Sequence, residues 1–336
     1  MHPTNRMTTI ASPAIQNLVD EQLVTAVRTG LTASRKWLPP WLFYDEAGSR
    51  LFDEITERPE YYLTRTERDI FAAHGAEMLS HAAGGSSGRL RITELGAGSA
   101  DKTRLLLTAA VDQQETVVYE PVDVSPTALD AARLRIEREI AGVTVASRVM
   151  DYTHGPRLDL EPISAGEHRL VLYIGSSIGN FDPVQAAELL GRVRAGLRPG
   201  DSILLGVDQA KEEATLLAAY DDVAGVTAAF NLNLLARLNR ELDADFDLEA
   251  FEHKSIWNAS ESRIEMHLES RIEQRVRIGL LNLDVDFKAG ESIHTENSYK
   301  YRPAQAETML AAAGFSPAET WTDAQGWFAV CLARVS

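Results

Sequence analysis

The stretch Ile92-Thr93-Glu94-Leu95-Gly96-Ala97-Gly98-Ser99-Ala100-Asp101-Lys102 decides the fold. An apolar strand (Leu90, Ile92) ends in an acid. Two glycines one residue apart follow, and then the helical run Lys102-Thr103-Arg104-Leu105-Leu106-Leu107. Strand, Gly-x-Gly turn and helix open a nucleotide-sized crevice at the carboxyl ends of a parallel sheet. A dinucleotide fingerprint needs a third glycine, and Asp101 stands in its place. A pyrophosphate would also seat on a helix N-terminus with glycine-close backbone. This loop instead has an acid before it (Glu94) and one after it (Asp101). That suits a ligand with a cationic centre and hydroxyls, such as S-adenosylmethionine. A tight βα turn holding no ligand is the alternative.

Outward from the loop, strand and helix alternate. Strands are expected at 90–95, 116–122, 143–149, 169–174 and 201–207, and helices at 101–111, 126–140, 156–162 and 183–196. Helical crossovers between them make a parallel, doubly wound sheet. Two helices joined near Gly225 then fill 209–242, and alternating segments within 262–298 read as antiparallel strands. A helix over 303–313 and a hairpin of 316–322 with 327–334 close the chain. A parallel sheet ending in a helix and an antiparallel hairpin is the layout of class I methyltransferases. Before the loop, residues 14–34, 46–57 and 64–83 have helical periodicity, and 1–13 read as a flexible tail. The expected division is a substrate-binding lobe (14–65 and 209–299) over a cofactor-binding domain (66–208 and 300–336).

Composition bounds the rest. The chain has 336 residues, is 45% hydrophobic and carries a net charge of −16. That charge argues against a nucleic acid partner, which would need a basic stripe. No apolar run of about 18 or more residues occurs, so no membrane span is expected. Residues Met1 to Thr9 lack the pattern of a secretory signal, and the single cysteine, Cys331, reads as a buried hydrophobe. A cytoplasmic monomer is the resulting expectation. The eight histidines show no H-x-x-x-H or H-E-x-x-H spacing, so no metal site is expected.

The strand ends supply candidate residues. Asp123, after the second strand, can hold ribose hydroxyls, or can serve as a helix cap. Asp151 and Tyr152, after the third, can accept from and stack on an adenine. After the fourth comes Gly175-Ser176-Ser177-Ile178-Gly179-Asn180. Its small residues allow close approach at the cofactor's reactive end, and Asn180 offers a donor and an acceptor, or caps the next helix. In Thr295-Glu296-Asn297-Ser298-Tyr299-Lys300, Glu296 and Ser298 share a face if the segment is extended. Together they could grip an imidazole or an ammonium group. Tyr44, Tyr61, Tyr62 and Tyr220 could line an aromatic pocket for a cation.

Many short motifs in order carry a resemblance over nearly the whole chain from about residue 14. Among them are Phe43-Tyr44-Asp45, Leu51-Phe52-Asp53, Pro59-Glu60-Tyr61-Tyr62, Glu94-Leu95-Gly96 and Lys102-Thr103-Arg104. Further on stand Ile178-Gly179-Asn180, Ala219-Tyr220-Asp221-Asp222, Phe230-Asn231, Asn239-Arg240-Glu241-Leu242, Arg263-Ile264-Glu265-Met266 and Thr295-Glu296. The sequence resembles the L-histidine Nα-methyltransferases of ergothioneine biosynthesis. The resemblance implies an α/β, class I (Rossmann-like) S-adenosylmethionine-dependent methyltransferase with a second, inserted α+β substrate lobe. It implies three methyl transfers to the α-amine of L-histidine, giving hercynine, with S-adenosylhomocysteine released. Gly96, Gly98, Lys102, Asp123, Asp151, Tyr152, Gly175 and Ser177 would then hold the cofactor. Tyr61, Asn180 and Tyr220 would bind the amino and carboxylate ends. Glu296, Asn297 and Ser298 would stand at the imidazole with Met266, and Tyr44 and Asn180 at the reacting amine. Departures from the family pattern are Ala97 between the glycines, His267 after Met266, and Asn297 and Tyr299 in place of smaller residues. They bear on pocket shape and affinity. Methylation of another amine, such as tryptophan, and non-catalytic binding of S-adenosylmethionine are the competing readings.

Overall fold

The computed structural model describes residues 13–84, 88–98, 100–153 and 155–336. Residues 1–12, most of the expected tail, and Ser99 of the glycine turn lie outside that range. The chain begins with α1 (Pro13–Leu31), β1 (Lys36–Trp37), α2 (Glu46–Thr56) and α3 (Tyr62–Ala82). Strand and helix then alternate through β2 (Arg89–Leu95), α4 (Thr103–Gln114), β3 (Val117–Asp123) and α5 (Pro126–Glu139). The short strands β4 (Val143–Val145) and β5 (Arg148–Val149) precede β6 (Glu167–Tyr173), α6 (Pro183–Ala195) and β7 (Ser202–Asp208). The insertion holds α7 (Glu213–Tyr220), α8 (Val226–Leu242), β8 (Phe251–Asn258), β9 (Arg263–Ser270), β10 (Gln274–Ile278), β11 (Leu283–Phe287) and β12 (Ser292–Tyr299). The chain closes with α9 (Gln305–Ala312), β13 (Ser316–Thr322) and β14 (Phe328–Arg334).

Eight strands form the main sheet, in the order β13-β14-β7-β6-β2-β3-β4, with β5 also paired to β3. The strands from β7 through β4 are parallel, and the β13–β14 hairpin is antiparallel at one edge. Leu170 and Leu172 of β6 join a core with α3, α4 and α5, whereas Val171 and Tyr173 join a core with α6 and α9. Successive side chains of a strand point to opposite faces, so helices cover both faces. This is the doubly wound α/β class. A third core unites Leu23, Val27 and Phe43 from the start of the chain with Leu234, Phe251, Ile264 and Phe287 from the insertion. It includes one face of a second sheet, ordered β1-β12-β9-β8. Strands β10 and β11 pair separately.

Five elements differ from expectation. The helix at 156–162 does not form; Pro162 could not donate to the carbonyl four residues back, and Gly155 sits at φ +91. The strand at 143–149 is broken into β4 and β5. The last helix begins at Gln305, since Ala304 takes φ +64 and cannot join it. Strand β8 carried no clear alternation and has no counterpart among the expected strands. The helix α3 also starts earlier, at Tyr62, and so runs through the expected lobe boundary at residue 65.

Candidate active site

The glycine turn, Asp123, Tyr152 and Gly175 all follow carboxyl ends of parallel strands, so the sheet brings them to one edge. Gly96 has φ +68, and a Cβ there would lie 2.9 Å from the Tyr152 hydroxyl oxygen. The Gly98 amide donates to Asp123 Oδ2 at 3.1 Å, which ties the turn to the end of β3. A second Asp123 oxygen accepts the Ser125 amide. A carboxylate has roughly four acceptor sites, so Asp123 retains capacity for hydroxyl donors. The cap of α5 is Ser125, which accepts from Ala128, so Asp123 is spared that role. Tyr152 packs edge-on against Tyr173, with centroids 6.0 Å apart. Asp151 accepts from the Thr153 amide at 2.8 Å and stands beside it in the loop.

Lys102 meets an acid that sequence reasoning missed. Its Nζ lies 2.5 Å from Glu67 Oε2, and Glu67 is fully buried on α3. The Glu67 carboxylate also accepts the Gly175 amide at 2.9 Å. Gly175 has φ +75, and a Cβ there would come within 2.8 Å of Lys102 Nζ. Gly206 on β7 leaves the space Glu67 fills, since a Cβ would sit 2.2 Å from Glu67 Oε1. The Ser177 hydroxyl bonds the Ile174 carbonyl at 3.1 Å and stands at the rim of the pocket described below.

The acids flanking the glycine turn do other work. Glu94 is buried and accepts from Thr103 at 2.7 Å and from Tyr119. Burial pushes its carboxyl up to about 7 despite those bonds. Asp101 is partly exposed beside Arg68, Arg104 and Arg135. Glu94 fixes the start of the loop and Asp101 joins a surface ion cluster.

A pocket opens between this edge and the second sheet. Tyr44, Tyr61, Gly175, Ser177, Asn180, Tyr220, Met266, Glu296 and Ser298 line it. Phe52 and Phe230 complete an aromatic wall. Tyr44 packs edge-on against Phe52 (5.8 Å) and Phe230 (5.9 Å), and Tyr61 against Phe52 (6.2 Å) and Tyr220 (6.3 Å). Burial raises the Tyr61 and Tyr220 hydroxyls well above the usual tyrosine range, with nearby acids adding to the effect. Both therefore stay neutral phenols.

A bulge in β12 sets which residues enter the pocket. The register against β9 shifts between His294 and Glu296. An extra residue reverses the alternation beyond it. Ile293 and Thr295 are buried before the shift, and Glu296 and Ser298 after it. The Thr295 hydroxyl anchors the bulge, 2.8 Å from Asn231 Oδ1 and 3.0 Å from the Met266 carbonyl. Asn297 is thereby turned to the opposite face, where its Oδ1 meets His294 at 3.0 Å. The sequence grouped Asn297 with the substrate residues. The period of the strand places it behind them, outside the pocket.

Glu296 accepts from Asn180 Nδ2 at 3.2 Å. The cap of α6 is Asp182, which forms a capping box with Gln185, so Asn180 is left to the pocket. Burial pushes the Glu296 carboxyl up to about 7, against the opposing pull of Lys300 and Asn180. Between its ordinary 4.5 and about 7 the folded protein holds a proton that the unfolded chain has lost. Its contribution to stability therefore falls as pH rises through that window. Glu296→Gln cannot ionise. We expect the ligand-free variant to exceed wild type by roughly 3 kcal/mol above pH 7, with the difference shrinking toward pH 4.5. Urea midpoints at several pH values measure this, and a pH-independent difference would contradict it.

Lys300 was not recognised as a site residue. It is fully buried; its Nζ lies 2.8 Å from Asp208 Oδ2 and 2.9 Å from both the Tyr220 hydroxyl and Ser298 Oγ. Tyr220 and Ser298 are themselves 2.6 Å apart. Asp208 also accepts from Tyr62 at 2.8 Å and pairs with Lys211. The signal was present in the strand period, since Glu296, Ser298 and Lys300 are spaced by two.

The donor set at the sheet edge fits a nucleoside with a cationic centre: a free-sided carboxylate, a tyrosine over glycine, and backbone that no Cβ obstructs. The comparisons agree. Residues 23–335 match the family described as histidine-specific, SAM-dependent methyltransferase. The histidine N-alpha-methyltransferase of Mycolicibacterium smegmatis is 47% identical over 313 residues, covering 93% of this chain and 95% of that protein. That of Mycobacterium tuberculosis is 45% identical over 307 residues, 91% of this chain and 93% of the other. Ergothioneine biosynthesis protein 1 of Neurospora crassa is 30% identical over 305 residues, 85% of this chain and 32% of its own length. With the match running through both sheets and every wall of the pocket, the chain belongs to the histidine-specific, S-adenosylmethionine-dependent methyltransferases.

Proposed function

We propose that this protein methylates the α-amine of L-histidine three times, giving hercynine, as the first step of ergothioneine biosynthesis. The observation that carries the proposal is Glu296, a buried carboxylate beside Met266 and Ser298 whose hydrogen-bond partner in the pocket, among the described residues, is Asn180. A buried acceptor of this kind selects a ligand that brings an N–H donor, as an imidazole does.

S-adenosylmethionine, held by Gly96, Gly98, Lys102, Asp123, Asp151, Tyr152, Gly175 and Ser177, supplies an electrophilic methyl group on a sulfonium. The remaining work is orientation and exclusion of water. Asn180 spends its amide N–H on Glu296, which leaves Oδ1 to accept from the substrate amine and aim its lone pair. Tyr61 and Tyr220, kept as phenols, donate to the substrate carboxylate, with Lys300 behind Tyr220. Tyr44 stands at the pocket as a phenol, its hydroxyl raised well above the usual tyrosine range by burial, so the amine proton passes to water rather than to a tyrosinate. The aromatic faces of Tyr44, Phe52, Tyr61 and Phe230 accommodate the growing alkylammonium. A third methyl leaves the nitrogen no lone pair, and the sequence of transfers stops there. In this reading residues 14–65 and 209–299 form the substrate lobe, with α3 bridging to the cofactor domain.

Mass spectrometry of an equimolar mixture of histidine and tryptophan, incubated with protein and S-adenosylmethionine, tests the assignment. We expect histidine to gain up to three methylene increments and tryptophan none. Methylation of tryptophan alone, or of neither, would refute it.

A further inference from the structure

The β12 bulge has a second consequence, on the face of the sheet away from the pocket. His294 and Asn297 are three residues apart, yet both project outward because the extra residue lies between them. Their register partners on β9 are His267 and Glu265. One ligand atom from each of Glu265, His267 and His294 comes within 4.8 Å of the others. His267 and Asn297 thus meet at one spot. A search for H-x-x-x-H spacing is blind to such a set, because the ligands come from two paired strands.

The hydrogen bonds around the cluster prepare it for a cation. Glu265 Oε1 is engaged by Arg263 at 2.7 Å and by Asn258 at 2.9 Å, while Oε2 faces His267 Nε2 at 3.1 Å. His267 Nε2 and Glu265 Oε2 are spaced as two ligands of one ion, which would take the place of the hydrogen bond between them and leave the ring proton on Nδ1. That Nδ1 is buried and has no hydrogen-bond partner among the described residues. Asn297 Oδ1 accepts from His294 Nε2 at 3.0 Å, which leaves the lone pair of His294 on Nδ1. A metal-bound imidazole ordinarily donates its other N–H to a carbonyl or carboxylate, and ligating carboxylates are themselves hydrogen-bonded. Arg263 and Lys254 are the cations on this face. Arg263 is spent on Glu265 Oε1, and Lys254 Nζ lies 3.3 Å from Glu252.

We propose that Glu265, His267 and His294 form a binding site for a divalent transition-metal ion of the zinc class, on the outer face of the sheet behind Glu296 and Ser298. Two imidazoles and one carboxylate are a donor set for Zn²⁺ and its late first-row neighbours rather than for Mg²⁺ or Ca²⁺. The ion clamps β9 to β12 across the bulge that aims the substrate residues.

Free histidine chelates such ions, so the test is run without it. Full-length protein, free of any affinity tag and stripped with a chelator, is titrated with zinc chloride by calorimetry. We expect one Zn²⁺ per chain and a rise in melting temperature. His267→Ala and His294→Ala should each weaken binding about tenfold or more and abolish the thermal shift. His74→Ala, on the exposed side of α3, should change neither. Glu265→Gln keeps a carbonyl for Arg263 and Asn258, and serves where a histidine variant does not fold. Cobalt(II) should give visible absorption bands with wild type that are lost in His294→Ala. Absence of stoichiometric binding to wild type, or binding undiminished in these variants, would overturn the proposal.

Discussion

Glu296→Ala is expected to weaken L-histidine binding by about a hundredfold or more while leaving S-adenosylmethionine affinity unchanged. The loss has two parts. The imidazole N–H enters the pocket without its acceptor, and the Asn180 amide, which donates to Glu296 at 3.2 Å, loses its partner as well. Leaving a buried polar group unsatisfied costs about 1–3 kcal/mol, and more where a charge is involved. Sites that hydrogen-bond a substrate group discriminate strongly for this reason. Cofactor affinity is spared because the glycine turn, Asp123 and Tyr152 follow other strands. Calorimetry of each ligand separates the two effects. Histidine affinity within a few-fold of wild type would remove Glu296 from substrate recognition.

Lys300→Met should cost roughly 3 kcal/mol of folding stability, at the lower end of what breaking a buried ion pair costs. The ammonium and Asp208 are both fully buried, 2.8 Å apart. Removing it strands the Asp208 charge with Lys211 and the Tyr62 hydroxyl as its remaining partners. Lys211 compensates only in part, because it pairs with Oδ1 of Asp208 whereas Lys300 holds Oδ2. The change also reaches the pocket. Tyr220 and Ser298 lose the donor that holds both at 2.9 Å, so histidine affinity should fall with stability. Urea denaturation and histidine calorimetry on the same variant give both readouts. An unchanged urea midpoint would mean that Lys300 is a passive core residue.

Much of this architecture was legible in the chain. The glycine turn announced a crevice at a parallel sheet edge, and alternation from residue 90 supplied the order of elements. Turn chemistry located the closing hairpin, where Asp323 binds the amides of Gln325 and Trp327. The partners of the loop acids were not legible. Glu94 and Asp101 flank the glycines in sequence, but one is buried against Thr103 and Tyr119 and the other joins arginines at the surface. Sequence adjacency carries no information on which side of a loop a carboxylate faces. The same limit hid Glu67, which reaches Lys102 and Gly175 from a different helix. Asn297 was misplaced because a bulge leaves no local signature in side-chain type. Only the paired strand reveals the extra residue, and one slipped position exchanges pocket for outer face.

The central claim is where the methyl groups go. A carbon-13-labelled methyl donor, incubated with histidine and the protein and followed by heteronuclear NMR, decides it. We expect one methyl environment that correlates through the nitrogen to Cα of histidine and grows to three equivalent methyls. Label on an imidazole nitrogen, or no label on histidine at all, would contradict it.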